Sequence, residues 1–233
     1  MNEIHILPDF IANQIAAGEV VQRPESVVKE LVENSMDSQA DSIAVIVRNA
    51  GKQLIHVIDN GKGISKDDLP LTIKRHATSK IFSQEDMERI MTYGFRGEAL
   101  ASISSVAQVE IRTKRQGEDV GYSLVAEPNG EAAVTPVHTE LGTQVFVKNL
   151  FYNIPARRKF LKSNLTEFRH ISDTMLKFAL SRTDIRFTFY DGENLVFDVK
   201  PAAAESRIRD LLGASITDNM IQVNYSNENI EIV

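Results

Sequence analysis

Gly94-Phe95-Arg96-Gly97-Glu98-Ala99-Leu100 joins two glycines and a guanidinium to the start of a helical run, a set of groups suited to holding phosphate. Glycine lets the backbone approach an anion closely, and the N-terminus of a following helix aims free N–H groups at it. In Lys29-Glu30-Leu31-Val32-Glu33-Asn34, Glu30 and Asn34 are four apart and share one helical face. A carboxylate there could activate water, and the amide oxygen could complete a magnesium shell filled mainly by phosphates and waters. Standing alone, the pair would read better as the exposed stripe of an amphipathic helix.

A third segment, Leu54 to Ile58, is a β-branched apolar run that stops at Asp59-Asn60-Gly61-Lys62-Gly63. An aspartate at the mouth of a strand can accept a hydrogen bond from an exocyclic amine such as that of adenine, while Gly61 and Gly63 let a base lie against the backbone. An ordinary Asp-Asn-Gly turn is the alternative. In Leu141-Gly142-Thr143, a glycine and a hydroxyl head an alternating strand. No G-x-x-x-x-G-K-[ST] occurs, and Lys66 stands where the third glycine of G-x-G-x-x-G would fall, so neither a P-loop nor a Rossmann site is expected.

The order of these four signals resembles the ATP-binding fold shared by DNA gyrase B subunits, heat-shock chaperones, sensor histidine kinases and MutL mismatch-repair proteins. Gln14-Ile15-Ala16-Ala17-Gly18-Glu19-Val20-Val21, Arg75-His76-Ala77-Thr78-Ser79-Lys80, the Gly94 to Leu100 run, and Phe151-Tyr152-Asn153-Ile154-Pro155-Ala156-Arg157-Arg158-Lys159-Phe160 are similar to MutL signatures. The resemblance runs from Leu7 to about Ser181. One departure is Asp37-Ser38-Gln39-Ala40, where that family usually has Asp-Ala-Gly-Ala; the missing glycine puts the local turn in doubt.

The resemblance implies a slow ATPase that acts as a switch in DNA mismatch repair, with ATP and Mg²⁺ as its ligands. Glu30 would be the catalytic base, Asn34 the metal ligand, and Asp59 the partner of the adenine amine, supported by Thr143 and by the close backbone at Gly63. Thr78, Ser79, Lys80 and Gly94, Phe95, Arg96, Gly97, Glu98, Ala99 and Leu100 would close over the phosphates as a lid spanning about 73–100; His76 lies beside it. Residues 1–20 would form an arm, with Ile11, Ile15, Val20 and Val21 as its apolar surface, reaching to a second subunit in an ATP-gated dimer. The mismatch sensor MutS, a second copy of the chain, and DNA are the implied macromolecular partners. A relative that binds ATP without hydrolysing it, as a matchmaker, is the competing reading; a sensor kinase would need an upstream phosphoacceptor helix.

These residues need elements to hold them. Pro24 opens a helix with Val27, Val28, Leu31 and Val32 as its apolar stripe. Ile43 to Val47 and Leu54 to Ile58 read as an antiparallel pair, with further strands near Val106 to Thr113, Val120 to Ala126 and Gln144 to Lys148. A short helix begins at Pro155, a longer one spans Thr166 to Leu180, and Ile185 to Tyr190 with Asn194 to Val199 form a hairpin over Asp191-Gly192. An α+β, two-layer sandwich follows, its mixed and mostly antiparallel sheet carrying helices on one face. The ATP-binding domain is expected over 21–200. From 201 to 233 a second α/β domain would begin, cut short within a hairpin of Ile221 to Tyr225 and Ile230 to Val233.

Composition sets limits on these readings. The chain has 233 residues, 42% hydrophobic and 25% charged, enough for a substantial core. With no cysteine there is neither disulfide nor thiolate metal site, which is compatible with a cytoplasmic protein; the resemblance implies a bacterial cytoplasmic one. No signal peptide or membrane-spanning run is visible. A net charge of −6 confines any DNA contact to local basic clusters, Arg157, Arg158, Lys159 and Lys162 or Arg112, Lys114 and Arg115.

Overall fold

The structure, a computed structural model, describes residues 6–81, 83, 85–86, 90–128, 130, 132–221, 223, 225–226 and 231–232. Positions 82, 84 and 87–89 of the expected lid, and 222, 224, 227–230 and 233 of the expected terminal hairpin, lie outside the described residues. Helices α1 (Asp9–Val20) and α2 (Pro24–Asp37) lead into strands β1 (Ser42–Arg48) and β2 (Leu54–Asp59) and a 3-10 turn at Leu69–Ile73. Helix α3 (Ala99–Val106) precedes β3 (Gln108–Lys114), β4 (Gly121–Ala126), β5 (Ala133–Val137) and β6 (Gly142–Lys148). Helices α4 (Pro155–Phe160) and α5 (Asn164–Ser181), the hairpin β7 (Arg186–Asp191) and β8 (Asn194–Val199), then α6 (Ala204–Leu212), α7 (Ala214–Thr217) and the short pair β9 (Tyr225–Ser226) and β10 (Glu231–Ile232) complete the order.

Eight strands form one sheet in the order β5-β4-β3-β6-β2-β1-β7-β8. Every neighbouring pair is antiparallel except β1 with β7. The two-residue period of a strand sends alternate side chains to one face. Ile43, Val45 and Val47 of β1, Ile55 and Val57 of β2, Val109 and Ile111 of β3, and Val145 and Val147 of β6 are buried on that face. Against them α2 lays Val27, Val28, Leu31 and Val32, and α5 lays Ile171, Met175 and Ala179. The fold is the α+β sandwich expected, mixed and mostly antiparallel. Among the described residues no helix is long and apolar enough to cross a membrane.

Apart from shifts of one or two residues at element ends, the structure differs from the sequence reading in a strand, a strand start and a buried side chain. Strand β5 was not expected: its residues are largely exposed, it lies at the sheet edge, and it contains Pro136, so it lacks the alternation that marks a half-buried strand. Val106, read as the start of a strand, closes the last turn of α3, where it is fully buried with Ile103; β3 begins at Gln108. Val21, expected on the exposed surface of the arm, is fully buried, because only Gln22 and Arg23 separate it from α2 and the chain must turn inward there. Ile15 does remain 57% exposed on α1.

The turn left in doubt by the missing glycine is formed. Helix α2 ends at Asp37, and Gln39 takes the left-handed conformation with φ 64°. Gln39 N donates to Met36 O at 3.0 Å and Ala40 N to Ser35 O at 3.3 Å, which is the paired closure of a Schellman motif. A side chain in that conformation costs on the order of 1 kcal/mol relative to glycine. Gln39→Gly is therefore expected to raise stability by about 0.5–1 kcal/mol after the entropy cost of the added glycine. A denaturant titration in which the midpoint stays put or falls would show that the strain is absorbed elsewhere.

Beyond β8, α6 is tied back by Arg207. Its side chain is fully buried, and it donates to the carbonyls of Ala179, Arg182, Thr183, Ile185 and Lys200. The guanidinium thus ties together backbone carbonyls at the end of α5, just after it and just after β8, adding a donor to Arg182 O and Thr183 O, which also accept from Ile185 N and Ala202 N.

Candidate functional site

One end of the buried sheet face is polar. The inward column of β2 runs Ile55, Val57, Asp59; that of β6 runs Val147, Val145, Thr143; that of β3 runs Val109, Ile111, Thr113. Register places Asp59 opposite Thr143, and Thr143 opposite Thr113, so three apolar columns each end in a polar group at the same edge. Asp59 is 7% exposed. Its Oδ1 accepts from Gly61 N at 2.9 Å and Thr143 N at 3.3 Å, and its Oδ2 lies 2.9 Å from the Ser35 hydroxyl. Burial pushes its pKa above the ordinary aspartate range, against the lowering effect of those hydrogen bonds.

Thr113 ties the threonine pair together, its hydroxyl donating to Gly142 O at 2.9 Å and lying 3.2 Å from that of Thr143. Ile64 N also points at Thr113 Oγ1, at 2.9 Å, which anchors the loop after Gly63. Gly63 has φ 69°, and a Cβ on it would run into the Lys114 carbonyl, so only glycine fits this approach. Ser35 and Thr113 were missed in the sequence. The available signal for Ser35 was a hydroxyl on the otherwise apolar face of α2, four residues from Leu31.

On α2, Glu30, Asn34 and Asp37 follow at i, i+4 and i+7, beside the apolar stripe. Glu30 is half-buried with Lys29 Nζ at 3.7 Å. Burial raises its pKa, with Lys29 opposing and the Glu33 charge adding to the rise. Asn34 Oδ1 accepts from Lys80 Nζ at 3.0 Å, and Lys80 also pairs with Asp37 Oδ2 at 2.6 Å. Tyr93 N and Gly94 N donate to the same carboxylate at 3.1 and 3.2 Å. Thr78 Oγ1 accepts from Lys80 N at 3.2 Å. So Asn34, Thr78, Lys80 and Gly94 are brought together: Lys80 bonds both Asn34 and Thr78, and Asp37, which the sequence did not single out, accepts from Lys80, Tyr93 and Gly94.

The two halves of the expected lid are joined. His76 N donates to Gly97 O at 3.1 Å, and Glu98 receives Arg75 at 3.2 Å and His76 Nδ1 at 3.5 Å. Gly97 has φ 62°, and a Cβ there would collide with the Ala77 carbonyl. Glu98 precedes α3, so Ala99 and Leu100 present the free N–H groups of a helix N-terminus. Arg75 also donates to Asn13 on α1 at 3.2 Å, which ties that helix to the Arg75–Glu98 pair. Ser79 is exposed, and Arg96 is exposed with its guanidinium over the Phe95 ring at 5.4 Å; neither joins the Asp37 cluster.

A buried carboxylate ending a strand, an acid and an amide on one helical face, and a glycine-rich segment over a helix N-terminus together define a nucleotide-binding ATPase fold of the gyrase and histidine-kinase type. Residues 22–140 match the family described as histidine kinase-, DNA gyrase B- and HSP90-like ATPase. The DNA mismatch repair protein MutL of Chlorobaculum parvum is 46% identical over 232 residues, 100% of this chain and 37% of that protein. MutL of Porphyromonas gingivalis is 50% identical over 220 residues, 94% of this chain and 36% of that protein. The Aquifex aeolicus MutL ATPase domain complexed with ADP superposes with a TM-score of 0.69 at 32% identity, covering 83% of this chain and 70% of that one. The chain belongs to the MutL family of DNA mismatch repair proteins, and it spans a little over a third of the length of these relatives.

Proposed function

We propose that this chain binds ATP with Mg²⁺ between α2, the polar end of the sheet and the lid, and hydrolyses it slowly as a switch in DNA mismatch repair. The observation that carries the reading is Asp59, a buried carboxylate held by Ser35, Gly61 and Thr143 where the apolar columns of the sheet end in polar groups. An acid kept there at the expense of desolvation calls for a donor partner, and an exocyclic amine supplies one. The Aquifex aeolicus relative is complexed with ADP, which supports nucleotide binding as the reading.

Glu30 takes the proton of a water whose oxygen bonds to the γ-phosphorus as the bond to the bridging oxygen of ADP breaks. Its raised pKa makes it a stronger base than an exposed glutamate. Thr78, Ser79, Lys80 and the backbone from Gly94 to Leu100 hold the phosphates, and positioning and charge stabilisation carry the rate. Among the described residues no group of three or more His, Cys, Asp or Glu side chains could hold a metal ion. Asn34 nevertheless fits Mg²⁺: its Oδ1 already faces a cation, the Lys80 ammonium, and a carbonyl oxygen is a hard ligand. Bound there, the metal would neutralise phosphate charge.

In the proposed cycle, ATP orders the lid, and through Arg75 and Asn13 the arm, so that the exposed Ile15 face of α1 meets a second subunit; the dimer couples the mismatch sensor MutS to downstream nuclease or helicase action on DNA in the bacterial cytoplasm. Calorimetry with ATP and GTP, paired with phosphate release with and without DNA, tests the reading. Adenine-selective binding with slow release is expected. Binding without release would favour the matchmaker, and no binding would remove the site.

A further inference from the structure

We propose that Asp37 is a built-in anion that holds the phosphate-binding groups of the lid until nucleotide displaces it; the inference rests on the ATP site proposed above and adds its regulation. The Asp37 carboxylate accepts from Lys80 Nζ, Tyr93 N and Gly94 N. A lysine ammonium with the backbone N–H groups of a glycine turn is the donor set that cradles phosphate oxygens. Here that set is filled by a carboxylate of the same chain, whose side chain is only 6% exposed, with Lys80 at 19%.

Lys80 makes the exchange a coupled one. Its ammonium also takes Asn34 Oδ1, the oxygen assigned to Mg²⁺, so the latched lid places an ammonium where the metal would be held. Gly94 packs over the pair: a Cβ on it would lie 3.3 Å from Lys80 Nζ and 3.8 Å from Asn34 Oδ1. Withdrawing Lys80 therefore frees a phosphate donor and a metal ligand in one movement. Nucleotide has to displace Asp37 before the lid can bind phosphate, and its apparent affinity is lowered by the fraction of chains that are latched.

Asp37→Asn keeps the shape and removes the charge. In the ligand-free variant the amides of Tyr93 and Gly94 are expected to exchange with solvent faster than in the parent chain. ATP and inorganic triphosphate should both bind roughly three- to tenfold more tightly, since the competitor and not the base pocket has been weakened. Unchanged exchange, or unchanged or weaker triphosphate and ATP binding, would overturn the latch. Lys80→Gln breaks the same pair from the lid side and leaves the end of α2 intact, so its ligand-free exchange decides the matter if Asp37→Asn fails to fold. Failure of the parent chain to bind ATP would sink the nucleotide site instead, while the exchange comparison would still report on the latch.

Discussion

Glu30→Ala is expected to lower ATP turnover by about 10²-fold or more while nucleotide affinity changes only slightly, the usual scale for loss of a general base. That loss corresponds to about 2.7 kcal/mol of barrier. Affinity should survive because Glu30 is assigned to the attacking water, whereas Asn34, Lys80 and Asp59 are assigned to the ligand. The pH profile adds an independent readout. Burial raises the Glu30 pKa, so the acid limb of turnover should lie above the ordinary glutamate value and should disappear from the residual rate of the variant. Single-turnover hydrolysis across pH, with calorimetry on the same protein, checks both parts. Full activity in Glu30→Ala would return the residue to a solvated stripe beside Lys29.

Much of the frame was legible because its signals are local. In β1, Ile43, Val45 and Val47 alternate with half-buried residues, and in β2 the same period puts Asp59 on the inward side, so that a carboxylate at a core position could be recognised before its neighbours were known. Strand β5 carried no such period because none of its side chains is fully buried: Ala133, Thr135 and Pro136 are exposed, and Val134 and Val137 are only half-buried. Gln39 hid the end of α2, since the Schellman closure is usually announced by glycine. The Asp37 cluster is a tertiary fact: 43 residues separate Asp37 from Lys80, and 57 separate it from Gly94, and nothing in helix spacing foretells which side chain a distant loop will meet. Thr113 was obscure for the same reason, since its value lies in the register of β3 against β6.

Asp59→Asn should separate binding from folding more sharply than any other change. An asparagine can keep the local network, with Oδ1 accepting from Gly61 N and Thr143 N and Nδ2 donating to the Ser35 oxygen, whose own proton can turn to Leu31 O. A ligand amine would then meet an amide donor where it had met a carboxylate oxygen. Losing a hydrogen bond to a charged group and leaving donors opposed is expected to weaken ATP binding by roughly 10²-fold. Stability should move the other way. The folded pKa of Asp59 lies above its unfolded value, so the native state holds its proton more tightly; that contribution is complete below the ordinary value of 3.8 and is lost as pH rises through the raised one. Asparagine has no such loss. The ligand-free variant should therefore be at least as stable as the parent chain at neutral pH, with a stability gap that opens as pH rises from about 4 and then levels off. Thermal unfolding over that range, run beside ATP calorimetry, gives both numbers. A variant that binds ATP as the parent does would remove Asp59 from the adenine site, and one that is much less stable at neutral pH would make the carboxylate a structural anchor.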